Sequence, residues 1–426
     1  MSVWSSPRDG LSSWRRGLGA AGDLDLLLVP FLGVMLFVRV LTDDLSAPDS
    51  RHSGSLNLSG AIAVLLMLLA GGLLLRRRRG VLPTVLAVVY LCIWTGIAVG
   101  TSGASTETLR EGVREVSVIA LAVIVYNAHG AVTVPSATRL VQFIGFAPAL
   151  IALYQLATFT GLNRPYGTFA HPDSAAMFFG IATIASLWLY VDNGRRRSDA
   201  LLTILFAAAL VATFSIDGLI TLVVMLTTFG ALHPGSRRTK LGPCVIAGVV
   251  VLAFFALPLG ARRVASVSST RLASTGEPDS SLAWRLKKWK TLIPEWEGSP
   301  VFGQGLGTTT TTEATLKNRF AGKPPHNEYI RYLVETGVVG LSILLAALAI
   351  LMRVLVRKRR IPGTLDAGAL NAPTLAIVIV IGCLVDSLAD NTLLNSPTCY
   401  AAALIVAAIL ALPGVEVRRA PTPQTA

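Results

Sequence analysis

The 426-residue chain is 53% hydrophobic and 14% charged, with a net charge of +13 and a mean hydropathy of +0.62. That balance excludes an ordinary soluble globular protein. The apolar residues fall in blocks of about 18–20, the length that crosses a bilayer core, and the excess positive charge sits in short loops beside them.

Twelve blocks are predicted as membrane spans, at 24–41, 57–75, 81–99, 116–133, 140–160, 175–192, 200–214, 217–232, 241–259, 334–352, 374–391 and 396–412. The fold class expected is an all-α polytopic membrane protein. Lys and Arg gather in every second loop: Arg8, Arg15 and Arg16, then Arg76–Arg79, Arg139, Arg195–Arg197, Arg237, Arg238, Lys240, Arg353, Arg357–Arg360, Arg418 and Arg419. Positive loops stay in the cytoplasm, so both termini are expected inside. The expected division is a leader at 1–23, spans one to nine over 24–259, an extracytoplasmic loop at 260–333, spans ten to twelve over 334–412, and a tail at 413–426. The positive charge then implies attraction to lipid headgroups and no nucleic-acid partner. The first apolar stretch is span-length and follows an Arg-bearing leader, so no cleavable signal peptide is expected. Cys92, Cys244, Cys383 and Cys399 lie in or beside spans and read as packing residues.

Polar residues recur at the outer ends of the spans. In the loop 100–115, Thr108 is a candidate cap for a helix carrying Arg110 and Arg114. After span five comes Asn163-Arg164-Pro165-Tyr166-Gly167-Thr168-Phe169-Ala170-His171-Pro172-Asp173, a turn held by its prolines and glycine. Arg164 and His171 there either complement a substrate phosphate or serve as a snorkelling cation and a helix start. Asp217, Asp386 and Asp390 stand at outward ends of spans, where ionisable groups need a partner or a wet vestibule.

The outward loop concentrates the chemistry and carries ten Lys and Arg between residues 260 and 327. Leu282, Leu286, Trp289 and Ile293 share one helical face, flanked by Arg285, Lys287, Lys288 and Lys290. That pattern predicts an interfacial helix with Arg285 and Lys288 turned to the water–lipid boundary, where a lipid diphosphate would lie. Gly303-Gln304-Gly305-Leu306-Gly307 lacks the Gly-Lys-Ser/Thr of a nucleotide loop and reads as a tight turn approaching a ligand. Pro324-Pro325 precedes His326-Asn327, which places His326 at a helix start with Asn327 as its cap and Arg331 one turn on. No His, Cys or carboxylate spacing suggests a metal.

The ordered set Arg285-x3-Trp289, Ser299-Pro300-Val301-Phe302-Gly303-x-Gly305-x-Gly307, His326-Asn327-Glu328-Tyr329 and Glu335-x-Gly337-x-x-Gly340-Leu341 resembles the O-antigen ligase/polymerase family. The turn Gly167–Asp173 is similar to one of that family as well, and Asp43-Asp44 is either an ordinary acidic loop or similar to the acidic motif of lipid-dependent glycosyltransferases. The resemblance implies a GT-C-type helical enzyme of the bacterial inner (plasma) membrane that needs no cofactor and no metal. It would move a glycan from a polyprenyl-diphosphate carrier to a glycan, lipid or protein acceptor, with His326 and Arg285 catalytic. Lys288, Arg164, His171, Arg271, Asn327, Arg331 and Asp217 complete the expected site. Ile216-Asp217-Gly218 departs from the family's Ser-Arg-Gly, so Arg164, Arg271 or Lys288 would take over that phosphate contact. A transporter or flippase for lipid-linked glycans and a non-enzymatic scaffold are the alternatives, although no internal repeat of the kind transporters carry is visible.

Overall fold

The computed structural model describes residues 23–43, 58–77, 80–102, 106–128, 130–159, 163–267, 281–310, 324–360 and 371–412, so Arg271 and Asp44 lie outside the described residues. Among the described residues the regular structure is helical throughout. The helices are α1 (Asp23–Leu41), α2 (Leu58–Arg77), α3 (Val81–Ser102), α4 (Thr106–Asn127), α5 (Val134–Thr158), α6 (Pro172–Asp192), α7 (Arg197–Ala212), α8 (Ile216–Leu232), α9 (Arg237–Ala256), α10 (Pro258–Val267), α11 (Ser281–Glu297), α12 (Glu328–Arg359), α13 (Ala372–Asp386) and α14 (Ser396–Leu410). Each of the twelve predicted blocks coincides with one of them, and α10 and α11 belong to the loop between the ninth and tenth. Six helices, α2, α3, α5, α6, α9 and α12, are long and apolar enough to cross a membrane.

Two boundaries move for physical reasons. α4 starts ten residues before its apolar block and carries its charges on the helix, so Thr108 lies buried inside the first turn rather than capping it. The block 374–391 is helical only to Asp386; Ser387 and Thr392 then bond side chain to side chain and close a turn that holds Asp390 and Asn391.

α6 is the central pillar, packed by α5, α7, α8, α13 and α14. Small residues admit those neighbours: Gly180 lies under Met225, and Gly218 of α8 rests against Ala176 so closely that an added Cβ would sit 2.4 Å from it. That contact brings the N-terminal ends of α6 and α8, and with them Asp173 and Asp217, side by side.

α12 breaks at Gly337, whose φ of 64° and ψ of −172° are left-handed and non-helical. The break frees four backbone groups, and the loop 300–305 satisfies all of them. Gln304 and Gly305 donate their N–H groups to Val334 and Glu335, while Val338 and Val339 donate to Pro300 and Val301. Trp94 of α3 seals the joint by donating Nε1 to Phe302 and Thr336 at 3.0 Å. The glycine pattern of this loop therefore serves close approach to the chain itself rather than to a ligand. A Cβ at Gly305 would meet Ala98 Cα at 2.2 Å, and one at Gly303 would meet Glu335 C at 2.5 Å.

Candidate active site

α11 lies with its cationic side inward. Arg285, Lys288 and Leu292, spaced i, i+3 and i+7, form the buried face, whereas Leu282, Leu286 and Ile293 are 44%, 44% and 43% exposed between exposed Lys287 and Lys290. Three members of the predicted apolar ridge stay exposed, but Trp289, predicted with them, lines the cavity beside Arg285 and donates Nε1 to the Pro325 carbonyl at 2.8 Å, and the basic pair is not at the boundary. Lys288 is fully buried and donates its Nζ to the Thr309 carbonyl at 3.1 Å, because the helix is pulled onto α12 by its inner face.

Arg285 lines a cavity of about 260 Å³ together with Asp173, Asp217, Arg263 and the apolar Ile216, Leu282, Trp289 and Leu388. Its Nη2 donates to Asp217 Oδ2 at 2.8 Å and stands 3.9 Å from Asp173 Oδ2, while its buried Nε has no hydrogen-bond partner among the described residues. Asp173 is the organising anion. It accepts from Arg164 Nη2 at 2.5 Å and from Ser215 Oγ at 2.7 Å, and Ser215 in turn caps α8 by accepting from Gly218 N–H. Arg164 also donates Nε to the Thr213 carbonyl. Burial works against the Arg285 charge, but the Asp217 carboxylate and its hydrogen bond outweigh it and lift the guanidinium above its ordinary pKa. Burial, followed by Arg164, pushes Arg263 below its own.

His326 faces this cluster from the start of α12. Its ring packs 5.7 Å from Trp284, edge to face, and 5.9 Å from His171. Its Nδ1 lies 2.7 Å from Asp390 Oδ1, and its Nε2 has no hydrogen-bond partner among the described residues. Burial raises the Asp390 pKa, yet the His326 hydrogen bond and charge bring it below the usual carboxylate range. His171 is the N-cap of α6 and has the opposite tautomer, since its Nδ1 accepts from Asp173 N–H at 3.3 Å and its Nε2 must carry the proton. Burial lowers the pKa of this ring against the pull of Asp173.

Arg331 and Asn327 sit behind the site. Arg331 is fully buried among Glu328, Glu335 at 3.2 Å, Glu111 at 3.1 Å and Glu115 at 3.3 Å, and has no surface to offer a substrate. Asn327 caps α12 through Ile330 N–H, as its position predicts, and donates to the Leu388 carbonyl. Asp43 pairs with Arg39 and accepts from Ala170 N–H, so it fixes the turn before His171 and stays out of the cavity lining.

The structure thus brings together Arg285, Asp217, Arg164, His171 and His326, and leaves Lys288, Asn327 and Arg331 as supports. Sequence reasoning overlooked Asp173, which was visible only as the last residue of the 167–173 turn, and Arg263, which no local pattern marks. It left Asp390 between a partner and a wet vestibule and did not pair it with His326, 64 residues away.

Residues 201–345 match the family model described as O-antigen ligase. No curated protein matches the chain. The matched segment contains Asp217, Arg285, His326 and Arg331 and ends before Asp390. Over that segment the chain is similar to an O-antigen ligase domain, and among the described residues several apolar helices are long enough for a bilayer, which together support a membrane role in glycan processing.

Proposed function

We propose, on the premise of that O-antigen ligase domain, that the protein is a membrane glycosyltransferase. It transfers or polymerises a glycan from a polyprenyl-diphosphate carrier onto an acceptor hydroxyl at the outer face of a bacterial inner membrane. Both termini are inside and residues 260–333 outside in this reading. The observation that carries it is the pairing of His326 with Asp390 at 2.7 Å, with the His326 ring against Trp284, the residue before the Arg285 that pairs with Asp217.

Asp390 accepts the Nδ1 proton and leaves Nε2 of His326 as the basic nitrogen. The acceptor oxygen attacks the anomeric carbon and gives its proton to that nitrogen. The bond from the anomeric carbon to the carrier oxygen breaks, and its electron pair leaves on the polyprenyl diphosphate. Arg285, with Arg263 and Arg164 beside it, stabilises the charge that develops there, and His171 offers an Nε2–H to the same phosphate. Asp217 holds the Arg285 fork until the donor arrives. A diphosphate is a good leaving group, so neither a general acid nor a metal is required. The ridge Leu282, Leu286 and Ile293, bordered by Lys287 and Lys290, suits contact with anionic headgroups beside the cavity.

The test is transfer from a purified polyprenyl-diphosphate oligosaccharide by protein in nanodiscs. Wild type is expected to release polyprenyl diphosphate, with turnover unchanged by chelators. His326→Ala is expected to lose about 10²–10⁴ in rate and Arg285→Ala about 10²–10³, both as folded proteins. Normal transfer by these variants, or movement of the intact lipid across the bilayer without release, overturns the reading in favour of a transporter. Product length separates single transfer from polymerisation.

A further inference from the structure

His326 is one of three non-glycine residues with positive φ among the described residues, at 51°. A left-handed conformation is strained for a side-chain-bearing residue and persists only where its surroundings impose it. Here the imposing group is identifiable. The His326 N–H donates to Asn391 Oδ1 at 2.6 Å, while the same residue's ring meets the adjacent Asp390. Two consecutive side chains of the α13–α14 turn therefore grip His326 at two points, one on its backbone and one on its ring.

The other end of the Asn391 amide is also committed. Its Nδ2 donates to Glu328 Oε2 at 3.2 Å, and Glu328 is held by Arg331 Nε at 2.8 Å and by its own N–H to the Ser387 carbonyl at 2.9 Å. Asn391 is buried, so its side chain has no solvent to substitute for either partner. The arrangement demands a group that accepts at one atom and donates at the other. A carboxylate at 391 would still accept the His326 N–H but would face the Glu328 carboxylate without a proton to give.

We infer that Asn391 is the positioning residue of His326: it fixes the backbone angle that aims the imidazole and ties that angle to the buried Arg331 cluster. The inference rests on His326 being the base of the proposed transfer. Asn391 touches no reacting atom in this scheme, so its removal misaims the ring without weakening the donor site around Arg285.

The experiment is single-turnover glycan transfer in nanodiscs by Asn391→Ala, Asn391→Asp, His326→Ala and the double variant His326→Ala/Asn391→Ala, with thermal unfolding in parallel. A misplacement of about 1 Å costs on the order of 10²-fold in rate. Asn391→Ala and Asn391→Asp are both expected to lose about that factor from kcat, with the donor KM within about twofold of wild type. The double variant is expected to match His326→Ala, because a residue that acts only through the ring has nothing left to position. A further loss in the double variant, a rise in donor KM, or full turnover in Asn391→Asp overturns the inference. Should Asn391→Ala fail to fold, the near-isosteric Asn391→Asp supplies the same comparison. Wild-type turnover by His326→Ala alone removes the base itself, which is a failure of the proposed function and is separately visible in that arm.

Discussion

Arg285 and Arg331 are both guanidinium groups surrounded by carboxylates, and the contrast between them separates site from scaffold. Arg331 is enclosed by Glu111, Glu115, Glu328 and Glu335 and sees no solvent. Arg285 has two carboxylates, lines a cavity, and keeps a buried Nε without a partner among the described residues. A fully satisfied buried network holds elements in register, whereas an incompletely satisfied one beside a cavity retains capacity for a ligand. Both occur in the segment that carries the family motif, so residue type and neighbourhood in sequence do not tell them apart. Burial and the number of partners do.

The sharpest way to break this comparison is to remove each cation in turn. Arg331→Met removes the cation shared by four buried carboxylates and is expected to cost about 3–5 kcal/mol, seen as loss of monodisperse protein or a collapsed thermal midpoint in detergent. Arg285→Met is expected to unfold within a few degrees of wild type while losing donor turnover. Equal destabilisation by both would erase the distinction drawn here.

A smaller effect is expected at the joint that couples the two regions. Gly305→Ala forces a Cβ against Ala98 at a φ of 101°, with an expected cost of about 1–3 kcal/mol in thermal stability. Its readout is a lowered thermal midpoint with residual activity per folded molecule retained. An unchanged midpoint would mean that the loop does not brace the α12 break.

The smallest effect concerns His171, faced by Asp173, Asp390, His326 and Arg164. Its folded pKa lies below the ordinary 6.5, so between the two values the unfolded chain binds more protons than the folded one. Stability is therefore complete above pH 6.5 and declines as pH falls below it toward the folded value. His171→Gln, which cannot titrate, is expected to flatten that part of the profile. A variant profile as steep as wild type would assign the decline to other groups.

Most of the framework was legible from hydropathy, because an apolar block of span length has one stable conformation in a bilayer: a helix that satisfies its own backbone. Each of the twelve blocks contains a helix, two of them ending short of the predicted boundary at Asn127 and Asp386, and Asn327 caps its helix as its place after two prolines predicts. Lys288 was misjudged because it stands three residues from Arg285 and shares its face; spacing identifies a face without saying whether it turns to lipid or to protein. The glycine loop was misread for a related reason. Positive-φ glycines signal a close approach, and sequence cannot name the surface being approached.

The sequence by itself determined the helical class, the division between apolar helices and one long polar loop, and the presence of His326 and Arg285 in that loop. Only the tertiary structure decided that Asp390 and Asn391 hold His326, that Asp173 binds Arg164 beside Arg285, and that Arg331 is sealed away. The reason is range. Hydropathy and capping act over one helical turn and are written locally, whereas those pairings join groups 9 to 220 residues apart and exist only once α4, α6, α12 and the turn after α13 have packed.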